Sequence, residues 1–202
     1  MRNRLWMLSL WMAFVGIPSL YAQPAPTVGF AAGWVQATFS GKDLGRAAYR
    51  AGFSAGVFLS YPLANWLAIR PEFWYEMKGG KQLAGAPFAP DGASVRITYT
   101  SLPLLLQVAP GTGRVRLLLG PQFSVRLNTE VEGEDADMFF QAFDVGGVGG
   151  LEVGLPVQRG LMQEVFIAGR YYLGLTKIDH SGPRADDVKN RSFSLTLGVA
   201  FR

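Results

Sequence analysis

The sequence predicts one all-β domain, an eight-stranded antiparallel up-and-down transmembrane β-barrel. Three observations carry this expectation. Beyond residue 27, large apolar side chains alternate with small or polar ones over most of the chain, the period of a strand whose two faces meet different surroundings. Gly and aromatic residues are abundant and only 17% of residues are charged, yet no segment after residue 22 approaches the roughly 20 apolar residues of a membrane helix. A bilayer admits only helices and closed barrels, so a chain of this kind must cross with strands. Finally, short turns alternate with long polar connections, as they do in barrels of bacterial outer membranes.

The first residues are not part of the barrel. Arg2 and Arg4 precede an apolar stretch over 5–17, followed by the breaker Pro18 and the run Ser19-Leu20-Tyr21-Ala22. This is the layout of a secretory signal peptide, residues 1–22, too short for a spanning helix. Cleavage after Ala22 leaves a single domain over 23–202. The sequence contains no Cys, which excludes a lipoprotein anchor and disulfide staples in the exported chain.

The strands follow in order. Residues 27–39 are rich in Gly and Ala. Residues 49–61 place Tyr49, Ala51, Phe53, Ala55, Val57, Leu59 and Tyr61 outward against Arg50, Gly52, Ser54, Gly56, Phe58 and Ser60. Over 66–77, Leu67, Ile69, Pro71, Phe73, Tyr75 and Met77 face out, while Arg70, Glu72, Trp74 and Glu76 face in. Residues 96–107 direct Leu102, Leu104 and Leu106 outward if Gln107 faces in. The stretch 115–128 sets Val115, Leu117, Leu119, Pro121, Phe123, Val125 and Leu127 against Arg116, Leu118, Gly120, Gln122, Ser124, Arg126 and Asn128. Pro71 and Pro121 lack a donor and require a local break in the ladder. Residues 139–155 gather Asp144 and Glu152 with Gly146, Gly150 and Gly154, and 161–178 gather Glu164, Arg170, Tyr172 and Thr176. The last strand, 193–201, alternates most cleanly, with every odd position from Phe193 to Phe201 large and apolar.

Connections at 62–65, 109–113 and 156–160 are short and rich in turn formers. Longer polar ones are expected near 40–48, 78–95, 129–138 and 179–191. Even strand number and alternating loop length put both termini on the periplasmic side. Trp34, Trp66, Trp74, Tyr61, Tyr75, Tyr99, Tyr171 and Tyr172 fall near many strand ends, where outward-facing rings would form interfacial belts.

On these phases the inward charges form a lumen polar network of Arg50, Arg70, Glu72, Glu76, Arg116, Arg126, Asp144, Glu152, Glu164 and Arg170, with Arg202 on the same side. Neither sign dominates, against an ion-selective pore lined by one charge. An eight-stranded barrel is scarcely wider than its inward side chains, so the charges are expected to fill it as a paired core.

Several segments resemble one family. Tyr99-Thr100-Ser101-Leu102-Pro103-Leu104-Leu105-Leu106-Gln107 resembles the Tyr-x-x-Ile-Pro-Leu-Leu-Leu strand of the PorT-like outer-membrane β-barrel proteins. Leu119-Gly120-Pro121 with Phe123, Asp144-Val145-Gly146 with its later glycines, Arg170-Tyr171-Tyr172-Leu173-Gly174-Leu175-Thr176, and Asn190-Arg191-Ser192-Phe193 are similar to further strands of that family. The resemblance implies the eight-stranded fold, an outer membrane location, outer-membrane lipid as surroundings and the barrel-assembly machinery as partner during biogenesis. The final Arg202 departs from barrels that end on the aromatic residue, here Phe201. A fold alone transfers no biochemical role.

The residues point away from chemistry. Catalysis needs a nucleophile and base on a rigid element, and the only histidine, His180, lies beside Ser181 in a long loop with Asp179, Asp186 and Asp187 nearby. Adjacent residues tend to point apart, so no triad is specified. One His and no Cys make no zinc site, and Glu130, Glu132, Glu134, Asp135 and Asp137 lack the spacing of a calcium loop. No cofactor is expected: Gly146-Gly147-Val148-Gly149-Gly150 lacks the lysine and helix of a phosphate loop. Removing Arg2 and Arg4 from the 19 basic residues leaves 17 against 15 acidic, a formal charge of +2, which is no nucleic-acid surface. The expectation is therefore a non-enzymatic envelope component whose external loops, including Phe88 in the stretch 84–92, serve binding or adhesion. The alternative is a narrow transporter or part of a protein secretion apparatus. A soluble ligand-binding barrel would reverse the polarity of the last strand.

Overall fold

In the computed structural model, residues 25–41, 44, 46–86, 89–111, 113–178 and 188–202 are described. They form β1 (Thr27–Ser40), β2 (Arg46–Ala64), β3 (Leu67–Ala84), β4 (Val95–Val108), β5 (Val115–Val131), β6 (Glu134–Asp135), β7 (Phe143–Arg159), β8 (Met162–Gly174) and β9 (Lys189–Phe201), with one 3-10 turn at Asp137–Phe139. The signal peptide expected over 1–22 and the loop residues Phe88, Asp179, His180, Ser181, Asp186 and Asp187 lie outside the described residues.

All pairings are antiparallel and sequential apart from β6, a two-residue strand folded back onto the end of β5. Eight long strands close into a ring because β1 pairs with both β2 and β9. Closure leaves no unpaired edge in the hydrocarbon, which a membrane requires. The outward and inward phases expected for 49–61, 66–77 and 193–201 are those observed. Phe53, Val57, Ile69, Phe73, Leu195 and Leu197 are exposed on the outer wall, while Ser54, Phe58, Arg70, Glu72, Trp74 and Thr196 are buried inside.

The prolines interrupt the ladder where their missing donors demand it. Pairing of β2 with β3 passes from Phe58 opposite Glu72 to Tyr61 opposite Ile69, skipping Pro71. Pairing of β4 with β5 likewise passes from Pro103 opposite Gln122 to Leu106 opposite Leu119, skipping Pro121. Lost rungs of this kind are tolerated because the other neighbour of each strand still pairs with it: Pro71 lies opposite Leu104 and Pro121 opposite Gly147.

Several boundaries differ from the sequence reading. β3 continues to Ala84, so Lys78 belongs to the wall and not to a loop. The strand expected over 139–155 is Phe143–Arg159, because residues 134–139 are used by β6 and the 3-10 turn. The strand expected over 161–178 ends at Gly174, and the last begins at Lys189. Asn128, expected inward, is exposed. Opposite Thr98–Tyr99 the register jumps from Asn128 to Arg126, and the extra residue of this bulge reverses the facing of everything after it.

Candidate functional site: the filled lumen

Climbing β3 from the short turn after β2, every second residue enters the lumen: Arg70, Glu72, Trp74, Glu76 and Lys78. This spacing makes β3 the spine of the interior, and other strands supply partners at each level.

At the end of the short turns, Arg70 and Arg116 converge on one carboxylate. Arg70 Nη1 and Arg116 Nε both lie 2.8 Å from Glu152 Oε1, and Arg116 also pairs with Glu164, its Nη1 2.8 Å from Oε2. One level higher, Glu72 accepts from Arg170 Nη2 at 3.0 Å and Trp74 Nε1 at 2.6 Å, and Arg70 Nε stands 2.7 Å from it as an ion pair. The guanidinium of Arg70 also stacks 3.7 Å from the centre of the Phe58 ring. Arg70, Glu72, Glu152 and Arg170 are all buried. Buried charges of both signs in this geometry compensate one another, whereas either sign alone would carry a large desolvation cost.

Mid-barrel, Glu76 accepts from Ser101 Oγ at 2.6 Å and Gln122 Nε2 at 2.8 Å, and Lys78 Nζ stands 3.1 Å from it. The same ammonium sits 3.8 Å from the centre of the Tyr172 ring, a cation–π geometry. Above it, Asp144 accepts from Thr176 Oγ1 at 2.9 Å and Asn190 Nδ2 at 2.8 Å, and Asn190 also donates to Tyr99 Oη at 3.0 Å. The mouth on the side of the long connections is then closed by an apolar cluster containing Phe39, Leu83, Ile97, Phe140, Ile178 and Val188. Its members come from strands and from Phe140, Ile178 and Val188 outside them, which bury apolar surface there.

The structure thus unites Arg70, Glu72, Arg116, Glu152, Glu164 and Arg170 in one continuous network, with Glu76 above it. Asp144 is held by neutral donors instead. Arg126 stands apart at the rim and pairs with Asp137, and Arg50 is half-buried within the electrostatic reach of Arg96 and Glu130, outside the network. Arg202 lies past the end of β9, exposed and outside the network, because the strand ends before its side chain can turn inward. Sequence reasoning placed Thr176 on the same face as Glu164, Arg170 and Tyr172 but missed Lys78, Ser101 and Asn190 as network members; the parity of β3 and β9 was the signal for Lys78 and Asn190.

Little space is left between these groups. A cavity of about 20 Å³ touches Ser54, Trp74, Glu76, Gln122 and Arg170, and one of about 120 Å³ lies at the end of the short turns beside Arg70, Gln107, Arg116 and Glu164. The first is about one water in size. Among the described residues, no group of three or more His, Cys, Asp or Glu could hold a metal ion.

Residues 21–180 match the family described as outer membrane protein beta-barrel domain. Among solved structures, the outer membrane protein OprG from Pseudomonas aeruginosa is similar with a TM-score of 0.55 and 15% identity, over 89% of this chain and 98% of that one. Neisserial surface protein A is similar with a TM-score of 0.52 and 18% identity, over 88% and 99% respectively. At such identities the likeness is one of fold. No curated protein matches the sequence.

Proposed function

The chain belongs to the outer membrane protein beta-barrel domain family, and from that premise we propose a non-enzymatic, solute-tight envelope barrel that meets its partners through its extracellular loops. The observation that carries the reading is the filled lumen: paired charges from Arg116 up to Lys78, then an apolar seal at the mouth. A transport path would need room between these side chains, and an eight-stranded barrel offers almost none. With the interior committed to packing, the extracellular connections are the remaining surface for recognition or adhesion. Export by a signal peptide cleaved after Ala22, with a mature domain over 23–202, and delivery to the membrane by the barrel-assembly machinery complete the proposal. The strand motif around Tyr99 and Pro103 and the segment from Arg170 to Thr176 support placing the chain in the PorT-like branch of the family.

Planar-bilayer recording of the purified mature barrel tests the closed lumen. The expected result is an intact, folded protein without stable conductance steps. Stable conductance by the wild type, altered in selectivity by Arg170→Ala without loss of stability, would establish the transporter alternative instead.

A further inference from the structure

The outer wall is not uniform at its extracellular edge. On β9 the outward apolar residues run from Phe201 to Phe193, and the next two outward positions are Arg191 and Lys189. A strand rising about 3.3 Å per residue and tilted about 40° gains roughly 2.5 Å of height per residue. Phe201 to Phe193 therefore spans about 20 Å, close to the roughly 25 Å apolar band of such barrels. Arg191 and Lys189 then stand roughly 5 and 10 Å above that band, at the depth of lipid headgroups.

Among the described residues, no carboxylate neighbours them on the adjoining strands. Arg191 lies opposite Thr38 on β1, whose buried hydroxyl donates to Ala47 O, and Leu173 on β8, and Lys189 lies opposite Ser40. β1 and β9 contain no Asp or Glu, and the one carboxylate of β8, Glu164, is inward at the periplasmic end. Arg191 is exposed, and among the described residues it makes no ion pair. The opposite wall differs: Arg96 is paired with Glu130 at 3.1 Å, and Glu134, Asp135 and Asp137 follow nearby.

We propose that Arg191 and Lys189 form a docking patch for the phosphate of an outer-leaflet lipid. The lipid's chains would lie along Phe193, Leu195 and Leu197, which are exposed directly below. A guanidinium presents a planar fork suited to phosphate oxygens, and the ammonium adds a point charge. Position decides in favour of a lipid over a soluble anion, since the cations end an apolar stripe that only acyl chains cover.

The test uses the mature barrel in detergent micelles, with native mass spectrometry reporting bound lipid and heat-modifiable mobility verifying the fold. Phosphatidic acid is compared with phosphatidylcholine of the same chains. Wild type is expected to prefer phosphatidic acid. Arg191→Gln should lower that affinity about fivefold and the double variant with Lys189→Gln about 25-fold, each cation near a membrane surface being worth roughly that factor. Arg191→Lys should restore most of the binding, and Arg202→Gln, at the other end of the barrel, should leave it unchanged. Equal affinity for the two lipids, retention of the preference by the double variant, or displacement by millimolar inorganic phosphate would overturn the proposal.

Discussion

Arg170 of β8 and Glu72 of β3 meet across the lumen, 98 positions apart in the chain, with Nη2 donating to Oε1 at 3.0 Å. Neither strand touches the other through its backbone, so the pair braces opposite walls of the barrel.

Arg170→Ala leaves Glu72 with Arg70 and Trp74 but removes the brace. Truncating one partner of a buried pair costs about 3–5 kcal/mol, less where water reaches the survivor. A lower urea midpoint in detergent is expected, and the double variant Glu72→Gln with Arg170→Met should recover part of the loss. An unchanged midpoint in Arg170→Ala would show that the lumen charges do not stabilise the barrel.

Lys78 is held by two partners, the carboxylate of Glu76 and the ring of Tyr172. Lys78→Met should destabilise the barrel, and combining it with Glu76→Gln should cost less than the two single changes added together. Contacting pairs show coupling of about 0.5–3 kcal/mol in such cycles. Strict additivity in the unfolding midpoints would mean that the two groups are independent.

Facing is tested on β9. Leu197 is 64% exposed on the outer wall and Thr196 2% exposed inside. Leu197→Arg sets a charge against hydrocarbon at a cost of about 2–4 kcal/mol near the midplane, whereas Thr196→Ser removes one methyl group. Folding yield into lipid vesicles should fall sharply in the first variant only.

Two glycines should respond oppositely to alanine. A Cβ at Gly198 would press on the Phe166 ring and come within 2.7 Å of the Ala31 Cβ, while one at Gly147 meets nothing within 4 Å. Overpacking costs about 1–3 kcal/mol, so Gly198→Ala should lower the thermal midpoint and Gly147→Ala should not.

The strands and their facings were legible because period two is imposed by the backbone itself, and residues such as Phe193, Leu195 and Leu197 expose that period directly. What escaped was set by pairing. Asn128 looked inward because nothing local announces the bulge opposite Thr98–Tyr99. Lys78 looked like the start of a loop because an isolated lysine after Met77 reads as solvent-facing; only the convergence of Glu76 and Tyr172 from other positions makes it an interior residue. The inward parity of the charged residues was readable, but which carboxylate each arginine reaches depends on the stagger between strands far apart in sequence. Asn190 escaped for the same reason, since it is Asp144 of β7 that it reaches from the start of β9.

The pairing of β1 with β9, from Val28 opposite Phe201 to Ser40 opposite Lys189, has a kinetic consequence. These are the contacts of greatest sequence separation in the fold, and such contacts slow folding because the loop-closure entropy precedes any reward. Before β9 pairs with it, β1 has half of its hydrogen-bonding groups unmatched. Until then the nascent wall has two bare margins, each a template for aggregation. Truncation anywhere within the thirteen-residue β9 should therefore yield not a smaller barrel but an unclosed sheet.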